Sequence, residues 1–161
     1  MRPMKLQDQL DIIQSHQTAA PVPVVQIAYA LGLRVYETKS WDGEVSGKIQ
    51  RDGDSFDIII NANHPKVRKR FTIAHEIAHA ILHPDLIGDG ISDDAQWRSG
   101  LPDPVEYQAN RMAADILMPE NLIKKYMTQA PYMPEQLAKI FGVSKRSMEI
   151  RLEVLGYAEA A

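Results

Sequence analysis

Residues 71–82 form the segment that most restricts how this chain can fold. Outside one stripe, every position in it is Phe, Ile, Ala or Leu. On a helical wheel that starts at residue 71, the polar residues Thr72, His75, Glu76 and His79 all fall between about 40° and 140°. A helix with this pattern has no ordinary solvent-facing side, so we predict that it is buried almost all round. Its polar stripe then needs partners, because burying a polar group without one is unfavourable.

The stripe contains the sequence His75-Glu76-Ile77-Ala78-His79, which has the H-E-x-x-H spacing. Residues four apart lie on one helix face, so the two imidazoles can bind a single Zn²⁺ ion at distances near ~2.0–2.1 Å. Glu76 lies about 100° further round the helix than His75, where it can take a proton from the attacking water rather than bind the metal. The alternative is a surface helix with two inactive histidines, but the wheel leaves no surface face for them.

A catalytic zinc site needs a third protein ligand, and the chain contains no cysteine. The longer metzincin pattern is absent, because Leu82 stands where it requires glycine and Asp85 where it requires histidine. His16 and His64 precede the motif helix, so we look for the third ligand among the carboxylates that follow it. These candidates are Asp85, Asp89, Asp93, Asp94, Asp103, Glu106 and Asp115.

The next long predicted helix favours one of these carboxylates. On its wheel Glu106 lies inside the apolar arc, whereas Asp115 lies on the polar side. A carboxylate on a buried face needs a cation or a metal, so we predict Glu106 as the third ligand. The alternative is a boundary glutamate paired with a nearby arginine, Arg68 or Arg70. Asn110 lies one turn beyond Glu106 and is a candidate to hydrogen-bond a metal ligand from outside.

These residues resemble a known family. Residues 71–79 are similar to the metal-binding helix of ImmA/IrrE-type metallopeptidases. Residues 106–110, with the sequence Glu-Tyr-Gln-Ala-Asn, and residues 117–119, with the sequence Leu-Met-Pro, resemble the second motif of that family. Residues 137–156 resemble its C-terminal helical part, so the resemblance covers roughly residues 22–157.

The resemblance implies a zincin-like α+β domain that binds one Zn²⁺ per chain. It implies His75, His79 and Glu106 as the ligands and Glu76 as the catalytic acid/base. Family members cleave helix-turn-helix repressors, and some relatives are toxin-like partners of helix-turn-helix antitoxins. We therefore expect a zinc endopeptidase of narrow specificity whose substrate is a helix-turn-helix repressor. The alternative is a toxin-like or regulatory protein-binding module partnered with a helix-turn-helix antitoxin.

The order of the predicted elements favours an α+β fold in two parts. We expect a zincin-like domain at residues 1–130 and a C-terminal helical subdomain at residues 131–161 packed on it. The Asp-Gly pair at residues 52–53 predicts a hairpin, which supplies a short antiparallel sheet. Residues 84–104 are rich in glycine, proline and aspartate and are predicted to form a long loop.

The same elements suggest how a substrate binds. An extended peptide can add to the edge of a sheet, and we expect the hairpin at residues 44–61 to offer that edge under the loop. The oxyanion of the reaction needs a hydrogen-bond donor. His83 is a candidate for this role, although packing or a hydrogen bond to a metal ligand from outside is favoured for it, and Arg98, Tyr107 and His64 are further candidates.

Composition excludes several other classes of function. The formal net charge is −3, so no general basic field attracts nucleic acid or anionic lipid. The C-terminal subdomain is predicted to resemble a helix-turn-helix, but residues 135–156 carry four basic and three acidic side chains, so we do not expect direct nucleic-acid binding. The absence of cysteine and of any long apolar run favours a cytoplasmic protein that does not enter a membrane. The oligomeric state is left open.

Overall fold

A computed structural model describes residues 4–94 and 99–157 of the 161-residue chain. The helices are α1 (Leu6–Ser15), α2 (Val24–Ala30), α3 (Lys66–Leu82), α4 (Pro84–Ile87), α5 (Asp103–Leu117), α6 (Glu120–Gln129), α7 (Pro134–Phe141) and α8 (Lys145–Val154). The strands are β1 (Arg34–Thr38), β2 (Val45–Asp52), β3 (Ser55–Asn61) and β4 (Gly90–Asp94). The predicted α+β fold is confirmed. In the described part of the chain, no helix is long and apolar enough to cross a membrane.

The four strands form one sheet in the order β1-β3-β2-β4. The predicted hairpin is β2 and β3, paired antiparallel across a turn at residues 53–54, one residue beyond the start of the Asp-Gly pair. β1 pairs parallel to β3, so the sheet is antiparallel only in part. Alternate residues point to one face, and on this sheet the face toward α3 carries Ile49, Ile58 and Ile60, all buried. The motif helix therefore lies against an apolar sheet face, as its wheel requires.

The prediction of one long loop at residues 84–104 is wrong over much of its length. This segment contains helix α4 and strand β4, and residues 95–98 lie outside the described part of the chain. Glycine and aspartate usually mark turns, but here Ile87 is buried and Asp93 is fully buried at a strand position. The side chain of Asp93 therefore faces the protein interior, although the sequence pattern of this segment predicts that its aspartates face solvent.

Strand β4 also corrects the predicted substrate edge. β4 pairs antiparallel with β2, and β1 covers the other side of β3. Both strands of the hairpin are thus internal, and the hairpin offers no free edge in this structure. The free edges of the sheet belong to β1 and β4.

Close contact between β2 and α3 depends on Gly47. A Cβ atom at this position would lie 2.5 Å from the Cγ2 methyl of Thr72 and 3.4 Å from Oε2 of Glu76. Only glycine lets β2 approach the motif helix at this distance. The sequence position of Gly47 inside a strand is explained by this approach.

The C-terminal helices are joined to the rest of the chain by two arginines. Arg70 of α3 donates to the backbone carbonyls of Val22 and Phe141 and, from Nε, to that of Gly142. Arg151 of α8 is buried, contacts Asp115 at 2.7 Å and donates to the carbonyl of Met118. The apolar side chains of α7 and α8 belong to the same core as those of α3. The division at residue 130 stays a prediction.

We expect Gly47→Ala to destabilise the protein by about 1–3 kcal/mol, because the added methyl overpacks the β2–α3 contact. Gly43→Ala is the control, since a Cβ there meets nothing within 4 Å. Thr72→Ser removes the opposing methyl but keeps the hydroxyl that donates to the carbonyl of Arg68. The double variant should therefore recover most of the loss in urea denaturation. A Gly47→Ala protein as stable as the Gly43→Ala control would contradict this packing.

Candidate metal centre

Helix α3 places His75, Glu76 and His79 at the face of the sheet. All three side chains have 0% exposure. The Nε2 atoms of His75 and His79 lie 3.1 Å apart, with the rings nearly perpendicular. Two imidazole nitrogens on adjacent turns therefore point at the same place, as the H-E-x-x-H spacing predicts.

Helix α5 brings Glu106 to the same place. Its Oε1 lies 3.0 Å from Nε2 of His79, and its Oε2 lies 3.6 Å from Nε2 of His75. Ser99 donates a hydrogen bond to Oε1 at 3.1 Å. Arg70, one of the two arginines considered as a partner for Glu106, donates instead to backbone carbonyls near the C-terminal helices.

Strand β4 adds a carboxylate that sequence analysis included among the acidic candidates but did not choose. Asp93 has 0% exposure, and its Oδ1 lies 3.4 Å from Nε2 of His75. Ligand atoms of His75, Glu76, His79 and Asp93 all lie within 4.8 Å of one another. The signal available in the sequence was the alternation of Ile91 and Asp93, which places both on one face of a strand.

The charge of this cluster requires compensation. Both oxygens of Glu76, both oxygens of Asp93 and Oε2 of Glu106 are buried without a hydrogen-bond partner among the described residues. Two of these carboxyl groups can hydrogen-bond each other only if one of the two keeps its proton, because an ionised carboxylate has no hydrogen to donate. Burial and the neighbouring carboxylates of Asp93 and Glu106 raise the pKa of Glu76 well above its ordinary value.

The pKa values of His75 and Glu106 are also shifted by their charged neighbours. Burial opposes a charge on His75, but the carboxylates of Asp93 and Glu106 outweigh it and raise the pKa of His75 to about 9. Burial opposes ionisation of Glu106, but His75 and His79 outweigh it and hold the pKa of this carboxyl below its ordinary value. The cluster thus attracts positive charge, and buried carboxylates beside two convergent imidazoles are a donor set that fits a divalent metal ion.

The outer ring nitrogens of the two histidines are hydrogen-bonded away from the cluster. Nδ1 of His75 lies 2.8 Å from Oδ1 of Asn110, which can only accept. Nδ1 of His79 lies 3.1 Å from Nδ1 of His83, whose Nε2 lies 2.9 Å from Oε1 of Gln108. For the metal-bound site, one assignment satisfies these three outer contacts: His75 and His79 carry the proton on Nδ1, and His83 carries it on Nε2. Both Nε2 atoms are then unprotonated and free to bind a metal.

The structure separates the sequence-predicted site residues into two groups. His75, Glu76, His79 and Glu106 come together at the cluster, while Asn110 and His83 lie behind the two imidazoles. Gln108 is exposed and still reaches His83, and this contact was not predicted because His83 stands at the end of α3, where a helical wheel no longer describes direction.

The further oxyanion candidates lie elsewhere. Tyr107 points outward with 65% exposure. Nε2 of His64 lies 3.2 Å from the carbonyl oxygen of Gly43. Arg98 lies outside the described residues. The oxyanion donor is therefore left without an assignment among these side chains.

Comparisons with known proteins agree with this geometry. The chain is 24% identical to the metallopeptidase ImmA of Bacillus subtilis over 149 residues, which is 90% of this chain and 82% of that protein. It is 44% identical to the radiation response metalloprotease IrrE of Deinococcus radiodurans over 84 residues, which is 48% of this chain and 25% of that protein.

A solved structure shares the fold. A transcriptional regulator of Mycobacterium tuberculosis superimposes with a TM-score of 0.63 at 16% identity, over 92% of this chain and 46% of that one. The chain thus spans less than half of that regulator and a quarter of the Deinococcus protease. The family described as the IrrE N-terminal-like domain matches residues 28–153. That match covers most of the chain and includes the buried H-E-x-x-H motif. This protein therefore belongs to the ImmA/IrrE family of metallopeptidases.

Proposed function

We propose that this chain is a zinc-dependent endopeptidase with His75, His79 and Glu106 as its metal ligands and Glu76 as its catalytic acid/base. The observation that carries the proposal is the meeting of Nε2 of both histidines with the Glu106 carboxylate inside a buried cluster. Two imidazoles and one carboxylate form a ligand set that catalytic zinc sites use. The site holds one metal ion per chain.

Glu76 differs from the ligands in position and in charge. It follows His75 directly, so its side chain leaves the helix about 100° away from that imidazole. Burial and the carboxylates of Asp93 and Glu106 raise its pKa, so this position favours a carboxyl group that holds a proton. A carboxylate of this kind can both accept a proton from water and return it later.

The reaction follows from these positions. When bound, the metal supplies Lewis-acid chemistry that acidifies a water molecule and polarises the scissile carbonyl. Glu76 takes the proton from the attacking water, whose oxygen bonds to the carbonyl carbon of the substrate. Glu76 then delivers that proton to the amide nitrogen as the carbon–nitrogen bond breaks, leaving a carboxylic acid and a free amine; the acid then passes its own proton to the amine, which gives a carboxylate and an ammonium group.

Asn110 and His83 act as positioning residues in this proposal. Asn110 accepts from Nδ1 of His75, and His83 accepts from Nδ1 of His79 while donating to Gln108. Such contacts fix the ring orientation and the tautomer of a metal-binding histidine. Both nitrogens of His83 are engaged in this way, which favours positioning over oxyanion stabilisation.

The substrate we propose is a helix-turn-helix transcriptional repressor, and we propose that cleavage takes place in the cytoplasm. The support is membership of the ImmA/IrrE family together with the buried position of the cluster. The ligand side chains are 0–8% exposed, so an arbitrary surface loop of another protein cannot reach them. A buried centre of this kind fits a peptidase of narrow specificity.

We expect Asn110→Ala to weaken metal binding by roughly 10–100-fold, because the His75 ring loses the acceptor that holds it. Competition with a fluorescent chelator measures the affinity. Asn121→Ala, an exposed residue of α6, is the control. An affinity equal to that of the control would mean that Asn110 does not position His75.

Glu106→Ala removes one of three proposed ligands, so its effect should exceed the roughly 100-fold limit for residues that only position a ligand. The same competition assay, run beside Glu120→Ala as an exposed control, measures the loss. Retention of wild-type affinity by Glu106→Ala would assign the third ligand to another carboxylate.

Glu76→Gln should keep the fold and the metal but lose turnover, because the amide cannot take a proton from water. The variant and the wild type are expressed in the native host and recovered with their partners for mass spectrometry. We expect the variant to hold an intact helix-turn-helix protein that the wild type leaves in two fragments. Recovery of the same intact partner by both forms would favour a binding module and contradict the proposed reaction.

A further inference from the structure

Strand β4 lies where a substrate strand would bind. It pairs antiparallel with the outer side of β2, from Gly90 opposite Gln50 to Asp94 opposite Val45. Without β4, β2 would be the edge of a three-stranded sheet directly over the motif helix. An exposed edge of this kind is a template for an added peptide strand. The chain therefore covers, with its own residues, the edge nearest the cluster.

The register of this pairing directs one β4 residue into the cluster. Asp93 is opposite Gly47, and a Cβ at Gly47 would lie only 3.4 Å from Oε2 of Glu76. The bulge between Val45 and Gly47 shifts the pairing at this point. Any strand bound to β2 in this register places the residue opposite Gly47 beside Glu76 and His75.

The Asp93 carboxylate lies beside His75, where it could act as a further metal ligand. It is fully buried, 3.4 Å from Nε2 of His75, and neither oxygen has a hydrogen-bond partner among the described residues. Together with the two histidines and Glu106 it would make four protein ligands if all of them held one metal ion. Four protein ligands are the pattern of closed, structural zinc sites, whereas catalytic sites leave one position for water or substrate.

Arg51 holds the segment that leads into strand β4. Arg51 donates from its backbone to the carbonyl of Asp89 and from its side chain to that of Gly88. Gly88 has φ 59° and ψ −128°, a conformation that favours glycine. Within the strand, Ile91 is only partly buried and Ser92 is exposed. Ile91 is the one apolar side chain of β4, so little apolar burial holds the strand to the sheet.

We propose that β4 occupies the place of a substrate strand at the edge of β2. Asp93 then closes the metal centre until an extended peptide strand displaces β4. This inference rests on the proposed peptidase function and names its regulation and the mode of substrate binding. The described conformation is the latent one. The partner that fits the uncovered edge is an extended segment of a protein, bound antiparallel to β2 with its scissile region opposite Gly47.

The first test uses Co²⁺ in place of the native metal, because Co²⁺ absorption reports the ligand set without any turnover. The probe is acetohydroxamate, a small ligand that binds a metal only at an open position. We expect Asp93→Ala to change the visible spectrum and to bind acetohydroxamate at least tenfold more tightly than the wild type. Asp93→Asn, which keeps the side-chain volume, should change in the same direction and covers the case in which the alanine variant does not fold.

Asp89→Ala is the matched control. It removes an exposed aspartate just before β4 and keeps the backbone carbonyl that binds Arg51. We expect it to match the wild type. Identical spectra and identical acetohydroxamate affinities for the wild type, both Asp93 variants and this control would overturn the inference, whether or not the protein cleaves a substrate.

The second test locks the strand in place. Lys48 and Ser92 are opposite each other on β2 and β4, one residue away from the pair that faces the cluster, so their side chains point to the other face of the sheet. The chain has no cysteine, so Lys48→Cys with Ser92→Cys creates a single possible disulfide at a separation that suits one.

With this variant, we expect oxidation to abolish cleavage of the partner captured by Glu76→Gln and reduction by a phosphine to restore it, with the Co²⁺ spectrum unchanged. Equal cleavage by the oxidised and reduced forms would show that β4 does not leave β2, and would overturn the inference while the peptidase function stands. If neither form cleaves, the proposed function fails, and the Co²⁺ measurement alone decides whether Asp93 closes the centre.

Discussion

Buried negative charge beside α3 is the constraint on which the rest of this structure depends. Three carboxylates, from Glu76, Asp93 and Glu106, meet two imidazoles where water is excluded. An uncompensated carboxylate in such a place is unfavourable by several kcal/mol or more, as an order of magnitude. A divalent cation or retained protons must balance it, and the convergence of His75 and His79 favours the cation.

The surrounding fold holds the members of this cluster in position. Gly47 lets the sheet approach the motif helix, α5 delivers Glu106 on one side, and β4 delivers Asp93 on the other. Behind the imidazoles, Asn110 and His83 fix ring orientation through hydrogen bonds. The side chains come from three elements, α3, α5 and β4, so the packing of α3 against the sheet and α5 determines whether the site forms at all.

The carboxylates of Glu106 and Asp93 show how much of the site can be predicted from the sequence alone. Glu106 stands in a long amphipathic helix, where a wheel distinguishes the buried face from the exposed one, and the structure places it at the histidines. Asp93 stands in a five-residue strand among glycines and aspartates. Its burial depends on pairing with β2, which is distant in sequence. Local patterning carries no information on such pairing, so the segment looked like a loop.

The same distinction explains the hairpin and the hydrogen bonds behind the site. The Asp-Gly signal at residues 52–53 is local, so β2 and β3 could be predicted from it. The contact between His83 and Gln108 joins the end of one helix to the side of another. This contact depends on the angle at which α3 and α5 cross, and a helical wheel of either helix gives no information on that angle.

X-ray absorption at the metal edge tests the central claim most directly, namely that this cluster binds one catalytic metal ion. The account predicts one tightly bound equivalent, with imidazole scattering from two ligands and nitrogen or oxygen neighbours at about 2.0–2.2 Å. Failure to bind one equivalent, or a spectrum with oxygen neighbours only and no imidazole scattering, would contradict it.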